Sequence, residues 1–325
     1  MSKGCRICNN TRSNKVHRLR EMMFGTREVF DYLECTECGT IQVIEIPDLA
    51  AFYPEEYYSF NSVDNEFSDK WSTKLLARSV VRYFLGQYSL FGNALSRIKS
   101  WPRELFPDSL RERGLQLRLD SSILDVGCGG GNLLEILNFF GFTDLTGADP
   151  FIRNDIKKPS GVTIYKKSLE DLQRKFDLVM FNHSFEHLVD PLQTLKAAAT
   201  RLAPGGTCLI RMPVVAEAWN IYGPDWVQLD PPRHTFIFSP KGFAQLATSL
   251  GFTLYNVTYD STAFQFWGSE LYRQDEPLQS VLSGEVSQFF ESAELERWKD
   301  RALDLNRSGK GDQACFYLRH SGSEP

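Results

Sequence analysis

From Ser122 onward the chain alternates short apolar runs with amphipathic stretches. Ile123–Val126, Leu145–Ala148, Val162–Lys166, Phe176–Phe181 and Thr207–Met212 have the length and apolar texture of buried strands. Between them, Asn132–Phe140 and Pro191–Leu202 read as helices, the second closed by Pro204-Gly205-Gly206. Gly242–Leu250 adds a helix, Phe252–Tyr259 and Ala314–Arg319 add two strands, and Val286–Leu305 reads as helical in the long stretch between those two. The pattern predicts an α/β fold, a doubly wound and mainly parallel seven-stranded sheet with helices on both faces. Upstream the texture changes. Residues 49–120 are rich in aromatics and helix formers, with Ala77–Phe84 and Ala94–Trp101 at helical spacing until Pro102 and Pro107 interrupt. That stretch reads as a helical connector and lid. Residues 1–48 hold strand-like runs, Glu28–Leu33 and Thr40–Ile46, between paired cysteines. The expected division is a module over 1–48, the connector over 49–120, and a main domain over 121–325 with an insertion at about 262–312.

Composition narrows this picture. With 42% hydrophobic and 24% charged residues, the 325-residue chain has the make-up of a soluble globular protein. The net charge of -5 does not point to the basic face that nucleic-acid phosphates require. No apolar run reaches the roughly 18 residues of a membrane span, and Met-Ser-Lys-Gly-Cys at the start lacks the apolar core of a signal peptide. The cytoplasm is the expected compartment. In that reducing setting Cys5-x-x-Cys8 and Cys35-x-x-Cys38 read as metal ligands before disulfides. Two such knuckles supply four thiolates, the ligand set of a structural zinc ion with no open position. Redox use of one pair is the alternative. Cys208 and Cys315 read as buried strand residues.

Ile123-Leu124-Asp125-Val126-Gly127-Cys128-Gly129-Gly130-Gly131 carries the most chemistry. It places a glycine-rich turn at the carboxyl end of the first main-domain strand, where doubly wound sheets bind ligands. Glycines there permit positive φ and a close approach of backbone to ligand. Asp125 just before the glycines is unfavourable for a pyrophosphate and suits a cationic amino-acid group, which disfavours a nicotinamide dinucleotide. Asp149, ending the next strand, can accept both hydroxyls of a ribose or serve as a helix N-cap ahead of Pro150.

These features in order, Asp125-x-Gly127-x-Gly129-x-Gly131, Asp149, Phe176-Asp177-Leu178-Val179 and Leu202-Ala203-Pro204-Gly205-Gly206, resemble the motifs of class I S-adenosylmethionine-dependent methyltransferases over roughly residues 120–260. The resemblance implies that the Gly127–Gly129 backbone, with Cys128 in place of a small residue, lies against the methionine part of S-adenosylmethionine. It implies that Asp149, with Pro150, holds the ribose and that Ser168 and Leu169 flank the adenine. Many members place an acidic residue near Ser168; here Glu170 or Asp171 would have to substitute. Asn182 and His183, at the exit of the fourth strand, complete the cofactor set.

Asn182-His183-Ser184-Phe185-Glu186-His187 crowds ionisable residues onto that strand exit, as an active site does. Methyl transfer to a hydroxyl needs a nearby acceptor and a group that takes its proton, and a histidine or a desolvated glutamate suits the second task. Glu186 and His187 are the first candidates; their structural alternative is to cap the next helix and bond backbone. The pair resembles the Glu-His of methyltransferases acting on nucleotide-linked sugars and of ubiquinone-pathway O-methyltransferases. The spacing His183-x-x-Glu186-His187 would also permit a divalent metal. His234, in Asp230-Pro231-Pro232-Arg233-His234, is the third candidate, on a segment resembling one that faces the acceptor in the glycan- and small-molecule-directed branch. Arg233 reads either as an anion partner for the substrate or as a structural ion pair. Tyr57 and Tyr58 resemble the tyrosines of a sugar-methyltransferase lid, and Tyr58 is taken as a catalytic candidate.

Zinc knuckles, lid tyrosines, Glu-His and Pro-Arg-His together resemble the sugar C-methyltransferases, which carry an additional C-terminal domain. The expected activity is therefore methyl transfer, O- or C-, to a small hydroxylated acceptor, a sugar or nucleotide-linked sugar. Two alternatives stand. A zinc-ribbon rRNA methyltransferase would use the basic stretch Arg97, Lys99, Arg103, Arg111, Arg113 and Arg118. A non-catalytic binding protein would keep the pocket alone, against which Glu186, His187 and His234 all argue.

Overall fold

The computed structural model describes residues 4–53, 71–87, 89–98, 100–282 and 286–321. Three short strands open it: β1 (Lys15–Arg20), β2 (Val29–Glu34) and β3 (Ile41–Val43). The connector holds helices α1 (Trp71–Phe84), α2 (Leu90–Ile98) and α3 (Trp101–Leu105). Pro102, expected to interrupt, instead lies in the first turn of α3, where a missing N–H costs no helical bond.

The main domain follows as β4 (Ser122–Val126), α4 (Asn132–Phe140), β5 (Asp144–Ala148), β6 (Ile156–Lys157), β7 (Thr163–Tyr165), β8 (Phe176–Asn182), α5 (Pro191–Arg201) and β9 (Leu202–Pro213). It continues through α6 (Glu217–Tyr222), β10 (Phe236–Ile237), α7 (Pro240–Ser249), β11 (Phe252–Tyr259), α8 (Phe264–Arg273), α9 (Gln279–Leu282), α10 (Ser292–Arg307) and β12 (Gln313–His320). The large sheet runs β11-β12-β9-β8-β4-β5-β7-β6. Its centre is parallel, while β12 lies antiparallel to both β9 and β11. This is the expected doubly wound sheet with one addition, the two-residue β6, which pairs antiparallel with β7 at the edge. The helix expected over Val286–Leu305 divides into a short 3-10 turn at Val286–Gln288 and α10.

Period-two alternation sends the strand side chains to two layers. Leu124, Val126, Val179, Phe181 and Ile210 meet α5 and α7 on one face. Ile123, Leu145, Leu178 and Leu209 meet α4 and the connector residues Phe106 and Leu110 on the other. From β4 the chain winds outward through β5 and β7, then returns to add β8 and β9 on the opposite side. That reversal opens a crevice at the carboxyl ends of β4 and β8, the ligand position of such sheets.

The first module is not closed at residue 48. Its sheet runs β1-β2-β3-β10, so its last strand is Phe236–Ile237, directly after His234. A third core joins Leu19, Tyr32 and Ile41 to Phe266 and Leu271 of α8 and to Trp226 and Phe290 of the later loops. A two-residue strand paired across nearly the whole chain leaves no local pattern to read.

Candidate active site

The glycine turn departs from β4 with Gly127, Gly129 and Gly131 at φ of 71°, 52° and 79°, the left-handed region that side chains resist. A Cβ on Gly127 would stand 2.5 Å from that of Ser184, so the turn packs directly on the exit of β8. Ser184 Oγ donates to the Val126 carbonyl at 2.6 Å, tying the two strand ends together. Cys128 Sγ covers Gly147 of β5 so closely that a Cβ there would lie 2.5 Å from the sulfur.

Asp149 accepts from Gly129 N–H and Phe151 N–H, both at 2.8 Å. No helix follows it, so it does not serve as the helix N-cap; a carboxylate has about four acceptor positions and keeps capacity for hydroxyls. Asp125 is 3% exposed, and its Oδ1 has no hydrogen-bond partner among the described residues. Burial, with Asp149 nearby, pushes its carboxyl up to about 8. A buried carboxyl with one oxygen lacking a hydrogen bond among the described residues, beside a second carboxyl, is a place made for a cation. This donor set fits S-adenosylmethionine: Asp125 for the ammonium, Asp149 for the ribose hydroxyls. Ser168 sits in a capping box with Asp171, whose Oδ2 accepts Ser168 N–H and Oγ–H, while Leu169 is buried and Pro150 exposed. Asp171 is therefore already committed to the backbone.

The β8 exit turns at His183, whose φ of 53° is left-handed. Glu186 follows on a 3-10 turn and is 1% exposed, with neither carboxylate oxygen accepting a hydrogen bond among the described residues. Three imidazoles surround it. His183 Nδ1 lies 3.5 Å and His234 Nε2 4.0 Å from Oε1, and the His187 and His234 rings meet edge to face at 4.7 Å. Burial alone would raise the Glu186 carboxyl; the imidazoles of His183, His187 and His234 instead hold it below the usual range. Burial and His234 push His187 down to about 4, against the pull of Glu186, so its ring is neutral at pH 7.

Hydrogen bonds to backbone set the tautomers. His187 Nδ1 lies 3.0 Å from the Arg233 carbonyl and His234 Nδ1 2.8 Å from that of Gln228. Each Nδ1 carries the proton, which leaves both Nε2 lone pairs free to accept. His187 thus combines the structural bond foreseen for it with an accepting nitrogen. Glu186, His187 and His234 place one ligand atom each within 4.8 Å of one another and could hold a divalent cation. The spacing had suggested His183 for that set; the fold brings His234 instead.

Arg233 resolves to its structural reading. It is fully buried, ion-paired to Glu21 and Asp230, and stacked 4.8 Å from the Phe24 ring centroid. Glu21 in turn accepts the N–H groups of Phe24 and Thr26 at 2.9 and 3.0 Å. Tyr32 OH donates to the His234 carbonyl at 2.8 Å. The first module is therefore the support of the His234 loop. Tyr57 and Tyr58 lie outside the described residues. Tyr53, which sequence reasoning passed over, places its hydroxyl 3.1 Å from His187 Nδ1. Its signal was present in the same aromatic run, four residues before Tyr57.

The four knuckle cysteines converge, with Sγ separations of 3.6 Å for Cys5–Cys38 and 3.5 Å for Cys8–Cys35. None is in a disulfide. Zinc bound tetrahedrally at about 2.3 Å spaces its sulfurs about 3.8 Å apart, so the set fits the ion.

A family model described as a methyltransferase domain matches residues 97–257. A ubiquinone biosynthesis O-methyltransferase of Cereibacter sphaeroides is 37% identical over 131 residues, 36% of this chain and 52% of that protein. One of Psychrobacter arcticus is 29% identical over 171 residues, 45% of this chain and 65% of that protein. The chain spans about half to two thirds of the length of these relatives. A solved cyclopropane synthase from Mycobacterium tuberculosis overlays at a TM-score of 0.41, with 18% identity across 63% of this chain and 80% of that one. No helix among the described residues is long and apolar enough to cross a membrane. The glycine turn, its two carboxylates and the family match together identify residues 97–257 as a class I S-adenosylmethionine-dependent methyltransferase domain.

Proposed function

We propose that this protein transfers a methyl group from S-adenosylmethionine to a hydroxyl of a small acceptor, with Glu186, His187 and His234 disposing of the proton. One observation carries the reading: a buried carboxylate with neither oxygen hydrogen-bonded among the described residues, facing His234 Nε2, at the end of the strand packed on the glycine turn. When bound, the cofactor supplies an electrophilic methyl group on a good leaving group. The chain's own part is to place the acceptor oxygen and take its proton. Glu186, kept ionised, and the accepting Nε2 atoms of His187 and His234 are suited to that task. Asp125, Gly127, Cys128, Gly129, Asp149, Pro150, Ser168, Leu169, Asn182 and His183 form the cofactor set. Cys5, Cys8, Cys35 and Cys38 hold a structural zinc ion.

Two acceptor classes follow from different observations. The motif pattern favours a sugar or nucleotide-linked sugar. The relatives' name, ubiquinone biosynthesis O-methyltransferase, favours a phenolic quinone precursor. Transfer of labelled methyl to a panel of catechols and of nucleotide-linked deoxysugars distinguishes them. Turnover that survives both Glu186→Gln and His234→Ala would overturn the assigned chemistry.

A further inference from the structure

Arg211 lies on β9, beside the exit of β8, and no motif drew attention to it. The fold joins it to His183 twice. His183 N–H donates to the Arg211 carbonyl at 2.9 Å, and Arg211 Nη1 donates to His183 Nε2. The same Nη1 reaches Asn182 Oδ1 at 3.2 Å. On its other side Arg211 Nε donates to Asp260 Oδ2 at 2.6 Å, and Gln313 Nε2 donates to Asp260 Oδ1 at 2.7 Å. The guanidinium is thus gripped from behind and pointed at one imidazole nitrogen.

A guanidinium only donates and does not give up its proton at any ordinary pH. The His183 nitrogen that faces it must therefore present a lone pair. The single proton of the neutral ring is left on Nδ1, the atom 3.5 Å from Glu186 Oε1. His187 and His234 have the same tautomer, but their Nδ1 protons are spent on carbonyls. His183 is the one imidazole of the three whose proton faces the carboxylate. Its left-handed backbone, unusual for a side-chain-bearing residue, is held by the N–H bond to Arg211.

We propose that Arg211 is a positioning residue of the methyl-transfer site, one that locks His183 as the Nδ1–H tautomer with its proton toward Glu186. His183 then points its N–H at Glu186 from 3.5 Å, and proton acceptance belongs to Glu186 and the Nε2 atoms of His187 and His234. The consequence for catalysis rests on the methyl-transfer reading; the tautomer itself does not.

Long-range proton–nitrogen spectra of the 15N-histidine-labelled full chain at neutral pH read the tautomer directly, and five histidines keep the spectrum simple. The peak lost in His183→Asn gives the assignment. In the wild type, His183 Nε2 is expected in the unprotonated range and Nδ1 in the protonated range. Arg211→Met should move Nε2 out of the unprotonated range, and Arg211→Lys, also a pure donor, should restore it. A proton on Nε2 in the wild-type chain overturns the proposal, whether or not any variant folds. An unchanged His183 pattern in folded Arg211→Met overturns it as well. Failure of the methyl-transfer reading would appear separately, as absence of turnover with intact His183 resonances.

Discussion

Asp125 shows how much one buried carboxyl can control. Its pKa of about 8 means that it is mostly protonated at pH 7 until a cation arrives. If the ammonium of S-adenosylmethionine is that cation, binding must expel the proton. Affinity should then rise about tenfold from pH 6 to pH 7 and level off above the pKa. Titration calorimetry should also register proton release at pH 7. Asp125→Asn mimics the protonated acid, so it should bind weakly and without this slope; a sloped variant would contradict the role. Asp149→Ala removes the acceptor of two backbone N–H groups together with any ribose contact. At about 1.5–3 kcal/mol per charged hydrogen bond, affinity should fall by at least tenfold. Both aspartates were legible in the sequence because Asp125 stands just before the glycine turn and Asp149 ends the next strand. Tyr53, Asp230 and Arg211 were not, because their importance lies in what they touch across the fold.

At the scale of elements, legibility followed burial and length. Strands β4, β5, β8 and β11 and helix α4 are contiguous patterns packed on the main sheet, and the sequence marks them to within a residue or so. Helices α6 and α8 went unread, since both pack into the third core against the first module, a partner with no local trace. The pivot of that packing is Arg233 with Glu21, both with fully buried side chains. Removing one member of a buried pair leaves the other charge uncompensated, at a cost of about 3–5 kcal/mol. Arg233→Met, which strands both Glu21 and Asp230, should lower the urea midpoint by that equivalent, and Glu21→Gln by less, since Arg233 keeps Asp230. The double variant should recover part of the loss, since it strands less charge. Additive losses in the double variant would show that the two side chains do not act as a pair.

For the whole molecule, the sheet shared between the first module and residues 236–237 decides what a zinc ion held by the four cysteines would do. A zinc site on a tethered module could be lost without consequence for the site. Here the Cys35–Cys38 knuckle leads straight into β3, which pairs with β10, two residues after His234. Ser239 Oγ donates to the Cys38 carbonyl and also caps α7, fastening the knuckle to the main domain. The glycine turn and Asp149 instead stand on β4 and β5, in the other sheet. Zinc loss should therefore act unequally. Metal analysis should find about one zinc per chain, absent from the Cys35→Ser/Cys38→Ser variant. In that variant amide exchange should quicken across β1 to β3 and residues 229–238, while S-adenosylmethionine is still bound and turnover is lost. The ion would then be structural in its coordination and yet decisive for His234. Exchange confined to the first strands, with turnover intact, would instead make the module an independent appendage.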